Sequence, residues 1–232
     1  DAGIDYQNVE ALELRLGSGP DDLFIDSTHA GTTDVYSGSE EAGSGDTLAV
    51  NTIDGVTNLY AGGGDDDIKV NVEREGETDY VRTFENGLAA ELTIVGGDGQ
   101  DDVIVNLSGQ GEALINVADE GGDREAQDTL TVVGTDGADS ILVRQHTIAM
   151  LNADGDQAER INYNLGVSGD PESNKDAADK LFINTLRGDD HIVTDDNSAR
   201  TEIDAGEGED KVQIGQIFGT PRDIEQSGLA KD

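Results

Sequence analysis

The residues best placed to do chemistry in this chain are aspartates that follow paired glycines at a fixed distance. Six copies fit the pattern G-x-G-x-D-x-φ-x-φ, where φ is aliphatic. They centre on Asp21, Asp66, Asp101, Asp139, Asp190 and Asp210, and a shortened copy reads Gly45, Asp46, Leu48, Val50. The second glycine of each full copy is Gly19, Gly64, Gly99, Gly137, Gly188 or Gly208. At the first glycine, Thr135 and Leu186 stand in for Gly in two copies. Glycine lets the backbone enter left-handed conformations and turn sharply. Such a turn points its carbonyls and the following carboxylate into one cleft. Hard oxygens at a tight corner suit Ca²⁺, which takes six to eight of them, better than Mg²⁺, which demands octahedral geometry and releases water reluctantly. One corner supplies too few ligands. Two corners stacked on neighbouring turns would supply enough, and the ion would neutralise carboxylates that otherwise repel.

Elements on both sides position these corners. After each Asp the aliphatic residues alternate with period two, as in a strand with one buried face. Examples are Leu23 and Ile25, Ile68 and Val70, Val103 and Val105, Ile141 and Val143. A second strand precedes most corners at a constant offset: Leu12 and Leu14, Leu92 and Ile94, Leu130 and Val132, Leu181 and Ile183. Asp128 and Asp179 open two of these upstream strands. The unit is strand, corner, strand. Successive corner aspartates lie 25, 20, 35, 38, 51 and 20 residues apart. A floor near twenty matches one turn of a β-solenoid, with loops such as Asn71–Glu85, Ser108–Asp128 and Gln145–Asp179 making up the excess. The expected fold is therefore all-β, a parallel β-solenoid of about seven rungs with loop insertions. At ~4.8 Å per rung this is a rod of roughly 34 Å. The array is expected over residues 1–218. Residues 219–232, from Gly219-Thr220-Pro221 onward, lose the pattern and read as a cap or linker.

Composition agrees with a thin core. Apolar residues make up 34% and aromatics 4%, there is no Trp and only one Met, where a packed domain has about 45–50% apolar. A narrow column of Val, Ile and Leu is within reach; a wide two-layer core is not. The net charge of −37, from 51 acidic and 14 basic residues, repels nucleic acid and anionic membranes. Disorder would be the bland reading of such a chain, but apolar doublets kept in step with Asp argue against it. Cys is absent, so any stapling must come from metal or from repetition. No apolar run is long enough to span a bilayer. No basic start followed by an apolar stretch opens the chain, and the beginning at Asp1 reads as a segment of something longer.

The corner motif resembles the repeats-in-toxin, or hemolysin-type, calcium-binding nonapeptide. The closest copies are Ala61-Gly62-Gly63-Gly64-Asp65-Asp66-Asp67-Ile68 and Val95-Gly96-Gly97-Asp98-Gly99-Gln100-Asp101-Asp102-Val103. The resemblance covers roughly residues 10–215. It implies parallel β-roll or β-helix turns with calcium between corners, in large secreted bacterial proteins. It assigns ligand roles to Asp21, Asp66, Asp101, Asp139, Asp190 and Asp210, to which the shortened copy adds Asp46 and the corner glycines their carbonyls. Family copies run in unbroken tandem, whereas here each stands alone with longer turns, which favours a wider β-helix over a compact roll.

Other readings are weaker. Acidity as a salt adaptation predicts scattered acids, not Asp fixed at corners. Asn152, Asp154 and Asp156 hint at an EF-hand loop, but Gln157 and Tyr163 stand where Gly and Glu are needed. Arg187-Gly188-Asp189 matches an integrin-binding tripeptide inside a corner that already explains its Gly and Asp. His29, His146 and His191 lack the paired spacing of a zinc site, and His191 should face outward. No G-x-S-x-G elbow and no nucleophilic Cys are present. A polysaccharide-active β-helix enzyme would want a carboxylate pair, but the Asn-Thr-Asp, Gly-His-Gly and Arg-Ile-Lys signatures are missing. The expectation is a non-catalytic, secreted, calcium-binding structural or adhesive module of a cell-surface or matrix protein. Its partners would be calcium and a surface component, or copies of itself joined end to end as a filament.

Overall fold

The computed structural model describes residues 9–38, 44–76, 79–119, 127–152, 155, 157–164 and 178–215. The segment expected as a terminal cap or linker, 219–232, lies outside them. The described residues form nineteen strands, β1 to β19 in chain order, and no helix.

The chain builds two large sheets and alternates between them. The seven-stranded sheet is parallel throughout. Its strands are β2 (Asp22–Ile25), β4 (Thr47–Val50), β6 (Asp67–Val70), β10 (Asp102–Asn106), β12 (Thr129–Val133), β16 (Lys180–Asn184) and β18 (Arg200–Asp204), in that spatial order. The ten-stranded sheet begins with β1 (Ala11–Arg15), β3 (Thr32–Tyr36), β5 (Thr57–Gly63), β9 (Leu92–Asp98) and β11 (Ala113–Ala118). It continues through β15 (Ala158–Tyr163), β14 (Thr147–Leu151) and β13 (Ser140–Arg144) to β17 (His191–Thr194) and β19 (Lys211–Ile214). A separate antiparallel hairpin pairs β7 (Val72–Glu75) with β8 (Asp79–Arg82).

Register explains why these strands form where they do. In the seven-stranded sheet Leu23, Leu48, Ile68, Val103, Leu130 and Leu181 stand side by side in one column. Ile25, Val50, Val70, Val105, Val132, Ile183 and Ile203 make a second. Leu59, Ile94, Val117 and Tyr163 form a facing column in the other sheet. All of these belong to, or pack against, one hydrophobic cluster drawn from both sheets. The core is almost wholly aliphatic, with Met150 and Tyr163 as exceptions; the Tyr163 hydroxyl donates to the Arg144 carbonyl at 2.6 Å. Each buried aliphatic side chain contributes roughly 1.5–3 kcal/mol, so many small burials replace a few large ones.

Three segments expected as loops are strands instead. Val72–Glu75 and Asp79–Arg82 pair as the β7–β8 hairpin, which lies against the outer face of the seven-stranded sheet. There Arg74 pairs with Asp22 at 3.2 Å and the Tyr80 hydroxyl donates to the same carboxylate. Residues 113–118 are β11. Thr147–Leu151 and Ala158–Tyr163 are no loop: β13, β14 and β15 form an antiparallel meander inside the ten-stranded sheet, with β15 beside β11 and β13 beside β17. Ile148, Met150, Ile161 and Tyr163 alternate with period two and are buried, which is why this stretch joins the sheet. The part of that insert holding Pro171, Ser173 and Asn174 lies outside the described residues.

Candidate metal-binding corners

The corner aspartates fall into two columns, not one. Asp21, Asp46, Asp66 and Asp101 each stand one residue before a strand of the seven-stranded sheet, and Asp128 continues their line before β12. Asp139, Asp190 and Asp210 precede β13, β17 and β19, strands of the other sheet. One local motif therefore serves two different edges.

Each column is tied by the same hydrogen bond. The backbone N–H of Asp21 donates to Asp46 Oδ1 at 2.7 Å, that of Asp46 to Asp66 Oδ1 at 2.7 Å, and that of Asp66 to Asp101 Oδ1 at 3.0 Å. Asp101 donates in turn to Asp128 Oδ1 at 3.0 Å. In the second column Asp139 N–H donates to Asp190 Oδ1 at 2.8 Å, and Asp190 N–H to Asp210 Oδ1 at 3.0 Å. The main-chain carbonyls of the same residues accept from the first strand residue of the next turn, as in Asp67 N–H to Asp46 at 2.9 Å and Lys211 N–H to Asp190 at 2.8 Å. Asp65 and Asp189, one residue earlier, repeat the device by accepting Gln100 N–H at 3.1 Å and Glu209 N–H at 2.9 Å.

Glycine is required here by contact as well as by dihedral angle. Gly62 has φ +96°, and a Cβ on it would lie 1.6 Å from the Gly38 carbonyl oxygen. Gly19, Gly64, Gly99, Gly188 and Gly208 are all left-handed, whereas Gly137 is not. The two copies that depart from the pattern solve their corners differently. Leu186 takes φ +64° and keeps the left-handed turn without glycine. Thr135 grips Asp139 directly: its N–H donates to Oδ2 at 2.7 Å and its hydroxyl to Oδ1 at 2.6 Å.

The electrostatics of the columns are severe. Asp46, Asp101 and Asp190 are 1%, 3% and 2% exposed, and the Oδ2 of each is buried without a hydrogen-bond partner. At strand spacing, neighbouring ionised carboxylates repel by roughly 3 kcal/mol at an effective dielectric of about 20. Burial pushes the pKa of Asp101 up to about 8, the charges of Asp66, Asp128 and Asp119 add to this, and its hydrogen bond from the Asp66 backbone opposes it. Asp139 is also raised by burial, against the lowering effect of Thr135. At Asp101 the unpartnered Oδ2 calls for a proton or a cation.

No family model, curated protein or solved structure matches the chain. The fit to a metal therefore rests on the donor set. Among the described residues no three acidic or histidine side chains converge as a ready ligand cluster. A hard cation at Asp46, Asp101 or Asp190 would be held by one or two carboxylates together with corner carbonyls and water, a mixture that suits calcium. Asp139 has least to offer, since Thr135 engages both of its oxygens.

Sequence reasoning passed over two further sets of residues. Asp26, Asn51, Asn71 and Asn106 follow the strands of the seven-stranded sheet as a second ladder. Asn51 Nδ2 donates to Asp26 Oδ1 at 3.1 Å, and Asn71 and Asn106 each bond a backbone carbonyl of the neighbouring turn, at 2.7 and 3.0 Å. An Asn or Asp recurring just after D-x-φ-x-φ was the available signal. The second set surrounds Glu159, 1% exposed, which accepts Ser108 N–H and hydroxyl and Gly109 N–H, the last at 2.6 Å. Arg82 holds the same loop from its other side through the Leu107 carbonyl at 3.1 Å. Burial raises the Glu159 pKa and these hydrogen bonds oppose the shift, so Glu159 serves as an anchor for the loop. The EF-hand-like Asn152 lies in the β14–β15 turn, where Gly155 N–H donates to its carbonyl at 2.9 Å, and Asp154 and Asp156 lie outside the described residues. His191 opens β17 and is exposed.

Proposed function

We propose that this chain is a calcium-binding structural module, a two-sided parallel β-solenoid from a secreted or cell-surface protein, which calcium folds or stiffens. The observation that carries the reading is the buried, unpartnered Oδ2 of Asp46, Asp101 and Asp190 in columns of stacked carboxylates. The chain's alternation between two mainly parallel sheets supports the solenoid. Gly99, Gly188 and Gly208 pack against the carbonyls of Gly64, Gly137 and Gly188 on the neighbouring turn, so main-chain oxygens line the corners too. Extracellular calcium of about 10⁻³ M suits weak sites of 10⁻⁴–10⁻³ M. The role is mechanical or adhesive, without catalysis. Circular dichroism and thermal melting during titration with calcium or magnesium, starting from chelated protein, test it. Calcium should raise the melting temperature at concentrations where magnesium does not. An equal response to both ions means charge screening and ends the proposal.

A second reading, end-to-end association of copies, draws on β19. This edge strand leaves Val212 44% and Ile214 83% exposed on the face that earlier turns bury. Sedimentation in calcium, with Ile214→Lys as the variant, tests this: a monomer at all concentrations rules it out.

A further inference from the structure

The β7–β8 hairpin is tied to the seven-stranded sheet at Asp22, which takes both the Arg74 guanidinium and the Tyr80 hydroxyl. Burial and the Asp22 hydrogen bond push the Tyr80 pKa up to about 12, so that tether holds at any physiological pH. Beside the tether an open groove of about 450 Å³ remains, lined by Phe24, Asp26, Asn51, Glu73 and Arg74. It lies toward the far end of β2 from Asp21 and stands apart from the corner columns.

We propose that this groove binds a neutral saccharide of about one or two rings. Its volume falls in the range of about 300–1,000 Å³ usual for small-molecule sites. Phe24 offers an apolar ring of the kind that packs on the C–H face of a pyranose; its neighbour Tyr80, 5.9 Å away and tilted by 40°, holds it from one side. Asp26 and Asn51 sit on adjacent strands and are joined at 3.1 Å. That bond uses one amide hydrogen and one carboxylate lone pair, so the pair keeps a donor and several acceptors for vicinal hydroxyls. Glu73 adds acceptors, and Arg74, held by Asp22, forms one wall. Hydroxyls, which donate and accept at once, are the groups that such a mixed set satisfies. The net charge of the chain, −37, disfavours an acidic sugar or a phosphate; a cationic peptide is the rival occupant, and it would leave the Phe24 ring unused. The groove supplies a ligand class for the adhesive side of the proposed function and does not depend on calcium binding.

Saturation-transfer NMR and calorimetry in calcium buffer provide the test. The probes are cellobiose, maltose, lactose and diacetylchitobiose, with digalacturonate and tetralysine as charged controls. At least one neutral disaccharide should bind, and Phe24→Ala and Asp26→Ala should each weaken it by about tenfold or more. Asp26 is exposed, so Asp26→Ala, which gives up one exposed bond to Asn51, should lower the melting temperature only slightly and leave the calcium titration unchanged, which keeps the test readable if Phe24→Ala misfolds. No neutral probe bound at up to about 10 mM, or binding undiminished in Asp26→Ala, overturns the proposal. So does a response to the charged probes alone. Calcium titration of the same samples separates the two readings. A silent groove with an intact calcium response sinks the saccharide site only, and a sugar response without a calcium response sinks the calcium module only.

Discussion

The backbone N–H of Asp66 donates to Asp101 Oδ1 at 3.0 Å, joining two turns that lie 35 residues apart in sequence. The same bond recurs along both columns, so Asp46, Asp66, Asp101, Asp190 and Asp210 each support the turn before them whether or not they also hold an ion. The hydrogen-bonded frame therefore needs no ion, and without one the repulsion between stacked carboxylates remains.

Asp101 should make the calcium-free protein more stable in acid than near neutrality. Its folded pKa of about 8 lies above the ordinary 3.8. Between those values the folded chain keeps a proton that the unfolded chain has released. This contribution is present in full below the unfolded pKa and is lost as pH rises through the folded one. Asp101→Asn removes it, and in chelator at alkaline pH the variant should exceed the parent by on the order of a few kcal/mol. Urea melts across the pH range check this, and parallel curves for parent and variant would refute the buried-proton account.

Gly62→Ala should disrupt the stack, while Gly19→Ala should only strain it. Both glycines have positive φ, +96° and +114°, but a methyl at Gly62 meets the Gly38 carbonyl whereas one at Gly19 meets nothing within 4 Å. The cost at Gly19 should be about 1–2 kcal/mol, the left-handed penalty alone. At Gly62 the neighbouring turn must also move. Comparable unfolding midpoints for the two variants would show that the corners do not stack this closely.

Thr135→Val should lower stability by about 1–3 kcal/mol, because it removes the hydroxyl that satisfies Asp139 Oδ1 while keeping the side-chain shape. Thr135→Ser should restore most of the loss. A serine variant no better than the valine one would mean that the methyl group, not the hydroxyl, matters at this corner.

Val105→Asp should prevent folding and Ile104→Asp should be far milder, since Val105 is fully buried in its column and Ile104 faces outward and is half-buried. This alternation was legible from Asp101-x-Val103-x-Val105 alone, because strand periodicity is local. What the motif could not carry was partnership between turns. Asp101 and Asp139 open the same five-residue pattern, yet they begin strands of different sheets. That choice is set by register across dozens of residues, which no single copy encodes. Strands β3, β5 and β11 follow no Gly-x-Asp corner and were missed for the same reason. The alternation of Ile148, Met150, Ile161 and Tyr163 is readable, but it lies in Gln145–Asp179, a stretch far longer than one turn and with no Gly-x-Asp corner of its own, which therefore reads as a loop. The groove under the β7–β8 hairpin depends on Asp22 meeting Arg74 and Tyr80, more than fifty residues away, and no spacing rule points to it.

Calcium binding should release protons, and this separates a true site from screening. A cation beside Asp101 Oδ2 requires the ionised carboxylate, while the metal-free fold holds that group protonated up to about pH 8. Adding calcium to weakly buffered, metal-free protein at about pH 7 should therefore lower the pH as the ion displaces the proton. By the same linkage, calcium affinity should increase as pH rises from about 6 to 8 and level off above. Asp101→Asn should reduce both the released protons and the gain in melting temperature, and should move the transition to higher calcium. Glu75→Gln, an exposed change on the β7–β8 hairpin, should do neither. Stability gained by mass action should grow with the logarithm of free calcium once the sites begin to fill. If calcium stabilises the protein with no proton release, and magnesium does so equally, the ions act on the surface charge as a whole and the corner columns are tied by their hydrogen bonds alone.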